Sequence, residues 1–344
     1  MKLLVTGGAG FIGSAFVRYV LAHDEDIKVV TLDKLTYAGN LENLAPVASN
    51  SRHTFVRGDI CDSTIVTSIL RDRIDAIVHF AAESHVDRSI LSPDPFIETN
   101  VRGTATLLDA ARKANIGRFL LVSTDEVYGD IDAPLEADEA FPLKPSSPYA
   151  ASKAAADLLA LSYVRTFKLP VVVTRASNNY GPYQFPEKLI PLMISNAIQG
   201  LPLPVYGDGL QVRDWLYVDD HCRGILAVLE RGRDGQVYNI GGNCALPNRD
   251  VIRRVIEIVG ASESLMTTVT DRPGHDRRYA LSSEKLARET GFEPQMTFET
   301  GLAQTVQWYR DNTGWTRRVM SGEYRDYYQK NYGWRDSATV SALQ

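Results

Sequence analysis

Apolar residues in the first half of the chain fall into short runs separated by amphipathic stretches. Leu3–Val5, Lys28–Leu32, Thr54–Arg57, Ala76–Phe80, Phe119–Ser123 and Val171–Thr174 are brief and bounded by polar or glycine residues. Runs of that length read as buried strands. Between them, stretches such as Ser14–Leu21 and Thr104–Ala114 carry helical patterns. This alternation predicts an α/β fold with a parallel sheet covered on both faces. The rhythm breaks near Asn178, where prolines at 182, 186, 191, 202 and 204 cut the chain into short segments. A strand is expected at Gln236–Ile240, closed by Gly241 and Gly242, and a helix from Asn248.

The expected organisation is a nucleotide-binding domain over residues 1–177 and a smaller, mainly ligand-binding domain over 178–334. The second half is expected to return elements to the main sheet, so the two are interleaved. Residues 335–344 are expected to form a mobile tail. A chain of 344 residues exceeds one small core. With 44% hydrophobic and 23% charged residues it has the composition of an ordinary globular protein. A net charge of −5 argues against general nucleic-acid binding. Cys61, Cys222 and Cys244 are scattered, so neither a disulfide framework nor a metal site is expected, and a reducing cytoplasm fits. The first residues lack the pattern of a signal peptide, and no apolar stretch is long enough to span a bilayer.

Gly7, Gly10 and Gly13 follow the first strand and open the first helix. Glycine there permits a tight turn, close approach of a pyrophosphate and close helix–strand packing, with the helix N-terminus facing the anion. Phe11 and Ile12 lie inside this turn. The context predicts a Rossmann-type, doubly wound sheet. Asp33 ends the second strand, where a carboxylate accepts ribose hydroxyls and repels a 2′-phosphate. NAD⁺ is therefore expected over NADP⁺, although adjacent Lys34 tempers the argument. Lys34, Leu35 and Thr36, then Asp59 and Ile60, Phe80, Ala81, Ala82 and Ser84, and Thr99 complete the expected cofactor contacts. His79, within an apolar run, reads as a core histidine, and His85 as structural.

Tyr149 and Lys153 are spaced to share one helix face. Free tyrosine titrates at roughly 10, so a base at neutral pH needs the nearby ammonium and a positive nicotinamide to lower it. Ser123 ends a preceding strand. The glycine pattern with Tyr149 and Lys153 resembles the extended short-chain dehydrogenase/reductase family. Thr124-Asp125-Glu126-Val127-Tyr128-Gly129-Asp130 narrows the resemblance to its dTDP-glucose 4,6-dehydratase branch. Ala81–Ser89, Ser177–Tyr183, Arg213–Val218 and Arg272–Arg278 carry similar blocks in order along the chain. Arg175-Ala176 departs from the Asn-Cys found in some relatives.

The resemblance implies dehydration of dTDP-glucose to dTDP-4-keto-6-deoxyglucose by C4 oxidation, elimination of water across C5 and C6, and hydride return to C6. It implies Tyr149 as the C4-hydroxyl base, Glu126 as the C5 base and Asp125 as the acid for the C6 hydroxyl, with Thr124 holding the C4 oxygen. NAD⁺ would be tightly bound and regenerated, with Asn179 facing the nicotinamide. Candidate substrate contacts are Ser84, Thr124, Asn178, Lys188, Leu189, Pro204, Tyr206, Arg213, Asn248, Arg272 and His275. Arginine suits the phosphates through its planar donor fork. Adjacent carboxyls in an extended strand would point to opposite faces, so both can serve one sugar only if the backbone turns. The resemblance also implies a homodimer through a four-helix bundle made by Ala105–Ala114 and the helix after Tyr149, with no partner protein. Competing readings are another nucleotide-sugar epimerase, decarboxylase or dehydratase of this fold, and a non-catalytic NAD-binding regulator.

Overall fold

The computed structural model describes residues 1–320. Six strands run through the first half: β1 Lys2–Thr6, β2 Lys28–Asp33, β3 His53–Arg57, β4 Ala76–His79, β5 Arg118–Thr124 and β6 Val171–Ala176. The second half adds β7 Asn178–Tyr180, β8 Leu203–Tyr206, β9 Val212–Tyr217, β10 Val237–Ile240, β11 Ala245–Pro247 and β12 Met266–Val269. β1–β6 and β10 form one sheet in the order β10-β6-β5-β4-β1-β2-β3, and every neighbouring pair is parallel. Both faces are covered, so β4 and β6 are buried at every position and carry no alternation.

The strands lie where the apolar runs predict them, with ends that differ. β5 reaches Thr124 and β6 reaches Ala176 because the ladder continues through Ser123–Arg175 and Thr124–Ala176. Pairing thus outlasts the apolar run and carries polar residues to the rim of the sheet. The helix expected at Thr104 has a longer approach. Asp94–Phe96 is α-helical and Ile97–Gly103 winds as a π-helix before Thr104–Lys113. π winding breaks the 3.6-residue period, so periodicity could not reveal that stretch.

β1 lies between β2 and β4, where the strand order reverses. A crevice opens there at the carboxyl ends of the strands, the place where such sheets bind ligands. The second half builds a three-stranded sheet, β11-β9-β7, and a parallel pair of β12 and β8. Tyr180, Trp215, Phe298 and Tyr309 meet in its core with the Leu189–Gln199, Asn248–Val259 and Phe298–Asp311 helices. The tail expected at 335–344 lies outside the described residues. Among those described, no helix is long and apolar enough to cross a membrane, and no cluster of ligating side chains suits a metal ion.

Candidate active site

Gly7 turns the chain at φ +70°, and a Cβ there would sit 2.6 Å from the Ala81 backbone nitrogen. Gly10 precedes the Phe11–His23 helix, whose first turn has no side-chain cap and no acidic residue. Its first N–H groups are therefore available to an anion. A deep cavity runs from this turn along the sheet rim. Its walls include Gly7, Gly10, Phe11, Ile12, Gly13, Asp33, Lys34, Thr36, Asp59, Ile60, Phe80, Ala81, Ala82, Ser84, Thr99, Tyr149, Lys153 and Asn179. Leu35 does not line it. That residue adopts φ +58° and donates its backbone N–H to Asp33 Oδ1 at 2.8 Å, so it shapes the acid's loop.

Asp33 is 8% exposed, and its Oδ2 also accepts the Ala9 N–H at 2.9 Å. Burial raises its pKa, while these two N–H groups lower it. Lys34 Nζ lies 2.6 Å from Asp59 Oδ2, so the cation flanking Asp33 is engaged by a second carboxylate. Ser177 Oγ and Asn178 Oδ1 line the cavity as buried polar atoms without a hydrogen-bond partner. Glycine turn, uncapped helix start, ribose-reach carboxylate and unpaired polar atoms together fit a dinucleotide.

β5 delivers Thr124 to this rim. A single 3₁₀ turn, Asp125–Tyr128, follows at once, with Thr124 Oγ1 accepting the Glu126 N–H at 3.3 Å. The backbone turns where the two carboxyls need it, and Asp125 and Glu126 both line the cavity. Ser147 caps the Pro148–Phe167 helix, and Pro148 occupies its first turn. Tyr149 and Lys153 therefore project together from its start. Lys153 Nζ donates to the Val122 carbonyl at 2.7 Å.

Electrostatics separate the two carboxyls. Burial, then the adjacent Glu126 charge, pushes Asp125 well above the carboxylate range. Burial raises Glu126 as well, but Arg272, Lys188 and Arg213 oppose it. Asp125 is thus the group that keeps its proton, and Glu126 the better base. Burial lowers Lys153 to about 8 against the pull of Asp157. At Tyr149 the protein's own groups act against ionisation. Burial, then Glu126, raises its pKa, and the hydrogen bond from Thr124 only partly offsets this. The chain's own groups do not depress the phenol, because desolvation and the charges of Glu126, Asp125 and Asp157 outweigh the Thr124 hydrogen bond.

Asn178 and Lys188 line the cavity, and Lys188 Nζ donates to the Ser84 carbonyl at 2.7 Å. Leu189, Pro204, Tyr206, Arg213, Asn248, Arg272 and His275 do not line it; they lie in the second half. Arg272 Nη1 and the Tyr206 hydroxyl donate to the two oxygens of Asp87, each at 2.9 Å. Arg213 Nη2 donates to the Asp276 carbonyl at 2.9 Å, and its guanidinium lies 4.0 Å from the Tyr279 ring centre. His275 Nδ1 lies 2.6 Å from Asp271 Oδ1. Asn248 Oδ1 and Arg272 Nε are buried without partners.

Several wall residues escaped the sequence reading. Gln184, Phe185 and Glu187 line the cavity just past the Ser177–Tyr183 block, and His221 just past Val218. His221 Nδ1 lies 2.9 Å from Asn179 Oδ1. Motif blocks end where residue identity stops repeating a pattern, so nothing local marked these positions. The two histidines read as structural are buried. His79 sits 2.7 Å from Thr6 Oγ1 and 3.0 Å from Thr104 Oγ1, with burial taking it down to about 3. His85 accepts the Arg88 N–H at the start of a short helix.

The sequence model described as GDP-mannose 4,6 dehydratase matches residues 4–305. A dTDP-glucose 4,6-dehydratase of Shigella flexneri is 51% identical, covering 96% of this chain and 99% of its own length. One from Actinoplanes is 53% identical over 92% of this chain and 99% of its own length. The crystal structure of the dTDP-glucose 4,6-dehydratase DesIV of Streptomyces venezuelae, solved with NAD bound, superposes with a TM-score of 0.91 at 55% identity. It covers 93% of this chain and all of its own. A UDP-glucose 4-epimerase of Thermotoga maritima shares the fold at a TM-score of 0.85 but only 30% identity, over 91% of this chain and 100% of its own. With half of all positions matched along nearly the full length, this chain belongs to the dTDP-glucose 4,6-dehydratase family.

Proposed function

We propose that this protein converts dTDP-glucose to dTDP-4-keto-6-deoxyglucose, a hydro-lyase reaction using bound NAD⁺. The observation that carries the reading is the 3₁₀ turn that brings Asp125 and Glu126 to one cavity with Tyr149 and Lys153. An epimerase needs the tyrosine and lysine but no buried pair of carboxyls split into acid and base.

Tyr149 takes the C4 hydroxyl proton, with Thr124 holding that oxygen and Lys153 orienting the site. Bound NAD⁺, held by the Gly7–Gly13 turn, Asp33 and Asn179, would supply the hydride acceptor at C4 and donor at C6, and its positive ring would oppose the burial that raises Tyr149. A C4 ketone acidifies the C5 hydrogen. Glu126 removes that proton, while Asp125 gives its own to the departing C6 oxygen, and water leaves. As C6 is reduced, Glu126 gives its proton back to C5, and the proton taken up by Tyr149 balances the one lost from Asp125. Lys188, Arg213 and Arg272 act as the cations for the diphosphate, with Asn178, Asn248 and His275 beside them and Leu189, Pro204 and Tyr206 toward the nucleobase. Incubation with dTDP-, UDP-, CDP- and GDP-glucose, followed by mass measurement, tests the reading. Loss of one water from the dTDP sugar is expected; a product of unchanged mass would refute it.

Asp33 and Asp59 both line the ribose end, where Lys34 is paired with Asp59. A 2′-phosphate should cost about 1.4 kcal/mol or more there, so calorimetry on cofactor-free protein should find NADP⁺ at least about tenfold weaker than NAD⁺. Equal affinities would contradict the role of Asp33.

We also propose the division at residues 177 and 178, a cytoplasmic location and a homodimer. Supporting the dimer, the Thr104–Lys113 and Pro148–Phe167 helices pack side by side, and Leu158, Phe167 and Ile97 are exposed nearby. Light scattering at micromolar concentration should return twice the 38.1 kDa chain mass. A monomer, or a dimer that survives Leu158→Glu unchanged, would count against that interface.

A further inference from the structure

A buried ion pair lies behind Tyr149 and Lys153, and the reaction steps above leave it unused. Asp157 follows Lys153 by one turn on the same helix, and its side chain is inaccessible; Arg175, from β6, is 4% exposed. Arg175 Nε donates to Asp157 Oδ2 at 2.9 Å. Its Nη1 donates to the Tyr128 hydroxyl at 2.9 Å, and that hydroxyl donates to Asn239 Oδ1 at 2.7 Å. Asn239 is anchored in turn, its side chain donating to the Ala137 carbonyl at 3.0 Å and its backbone N–H to Glu139 Oε1 at 2.9 Å. The guanidinium is therefore fixed from the side away from the reaction. The Ser123 hydroxyl, at the end of β5, also hydrogen-bonds the Asp157 carboxylate.

A buried carboxylate demands a cation. Two are within reach of Asp157: Arg175 from the sheet and Lys153 from its own helix. If Lys153 carried the whole demand, it would be drawn from the Val122 carbonyl, and the negative charge would oppose ionisation of the phenol about two turns away. We propose that Arg175 and Asp157 form a positioning pair: Arg175 neutralises Asp157, leaving Lys153 free for the cofactor and Tyr149 able to ionise. This rests on Tyr149 as the C4-hydroxyl base. The other charged or titratable groups facing this corner are Asp125 and Glu126 from the 3₁₀ turn, Tyr128 beside Arg175, and His79 from β4. Burial keeps His79 neutral.

The pair predicts shifts of opposite sign. Removing the buried negative charge (Asp157→Asn) should ease loss of the Tyr149 proton and move the pH dependence of C4 oxidation down. Removing the buried positive charge (Arg175→Met) should move it up. Each shift should be roughly one pH unit, as expected for one nearby buried charge. The double variant, with no unpaired buried charge, should return to the wild-type midpoint although each single departs from it. Arg175→Lys should hold the wild-type midpoint at a reduced rate.

The readout is reduction of bound nicotinamide after mixing holoenzyme with dTDP-glucose, all variants being built on Glu126→Gln so that C4 oxidation is seen alone, and the wild-type midpoint for positions 157 and 175 is that of Glu126→Gln with Asp157 and Arg175 intact. Titration of the phenol by ultraviolet difference against matching Tyr149→Phe proteins provides a substrate-free measure. Singles that shift the same way, or not at all, overturn the proposal, as does a double variant shifted further than either single. Should a single not fold, the double variant and Arg175→Lys decide: midpoints unlike wild type overturn it. Normal C4 oxidation in Tyr149→Phe would instead defeat the underlying reading, so the two failures are distinct.

Discussion

Glu126→Gln should lose dehydration by about a thousandfold or more, within the range for removing a general base, while C4 oxidation continues. The amide keeps the shape of the side chain but cannot accept the C5 proton. Charge changes work in the same direction. The Glu126 carboxylate raises both Asp125 and Tyr149. Its removal makes the phenol easier to ionise, so oxidation should not slow. Asp125 keeps its largest cause of protonation, burial, and still has a proton to give. The stalled enzyme should hold reduced nicotinamide in nearly every site, visible in the near ultraviolet on mixing with dTDP-glucose. Turnover at the wild-type rate would remove Glu126 from the C5 step. A variant that forms no reduced nicotinamide would mean that the carboxylate is needed before C5, in binding or in oxidation.

With dTDP-glucose carrying deuterium at C4, the label should appear at C6 of the product in full, even with excess unlabelled NADH in solution. The reaction returns to C6 what it took from C4, so release of reduced cofactor midway would strand a reactive enone. The site is built for retention. One cavity joins the glycine turn, Asp33, the ends of β4 and β5 and the Gln184–Lys188 segment from the second half. Mass spectrometry of the product reads the position of the label directly. Dilution of deuterium into the NADH pool, or a stoichiometric need for added NAD⁺, would replace the closed cycle with a simple dehydrogenation.

The parts of this molecule that were legible in the sequence are those whose chemistry is local. The glycine turn, Asp33 and the Tyr149–Lys153 spacing each sit within one strand–turn or one helical turn, where geometry follows from separation along the chain. The bend after Thr124 could be stated only as a requirement, because nothing in Asp-Glu-Val-Tyr distinguishes a 3₁₀ turn from two more strand residues. Long-range partners were out of reach. Asp87 meets Arg272 across 185 positions and Tyr206 across 119. Arg175 read as a small departure from relatives, yet it is a buried cation with a fixed partner. Burial decides the meaning of such residues, and burial follows from packing rather than from neighbours in sequence. Desolvation of Tyr149 was out of reach in the same way: a charge pair can be counted from spacing, but burial of the phenol cannot.

β10 has a consequence for how the chain is made. It is the last strand of the main sheet, supplied by residues 237–240, and it covers β6, whose six residues are buried throughout. Until that strand leaves the ribosome, β6 is an open edge whose consecutive Val171-Val172-Val173 are protected only by Pro170 before them and Arg175 at the far end. Any fragment ending before position 237 retains this template, whatever else it folds. Such fragments should therefore aggregate, and a chaperone or the ribosome itself must guard the edge for the time needed to synthesise the sixty or so residues between β6 and β10, about 3–12 s at common elongation rates.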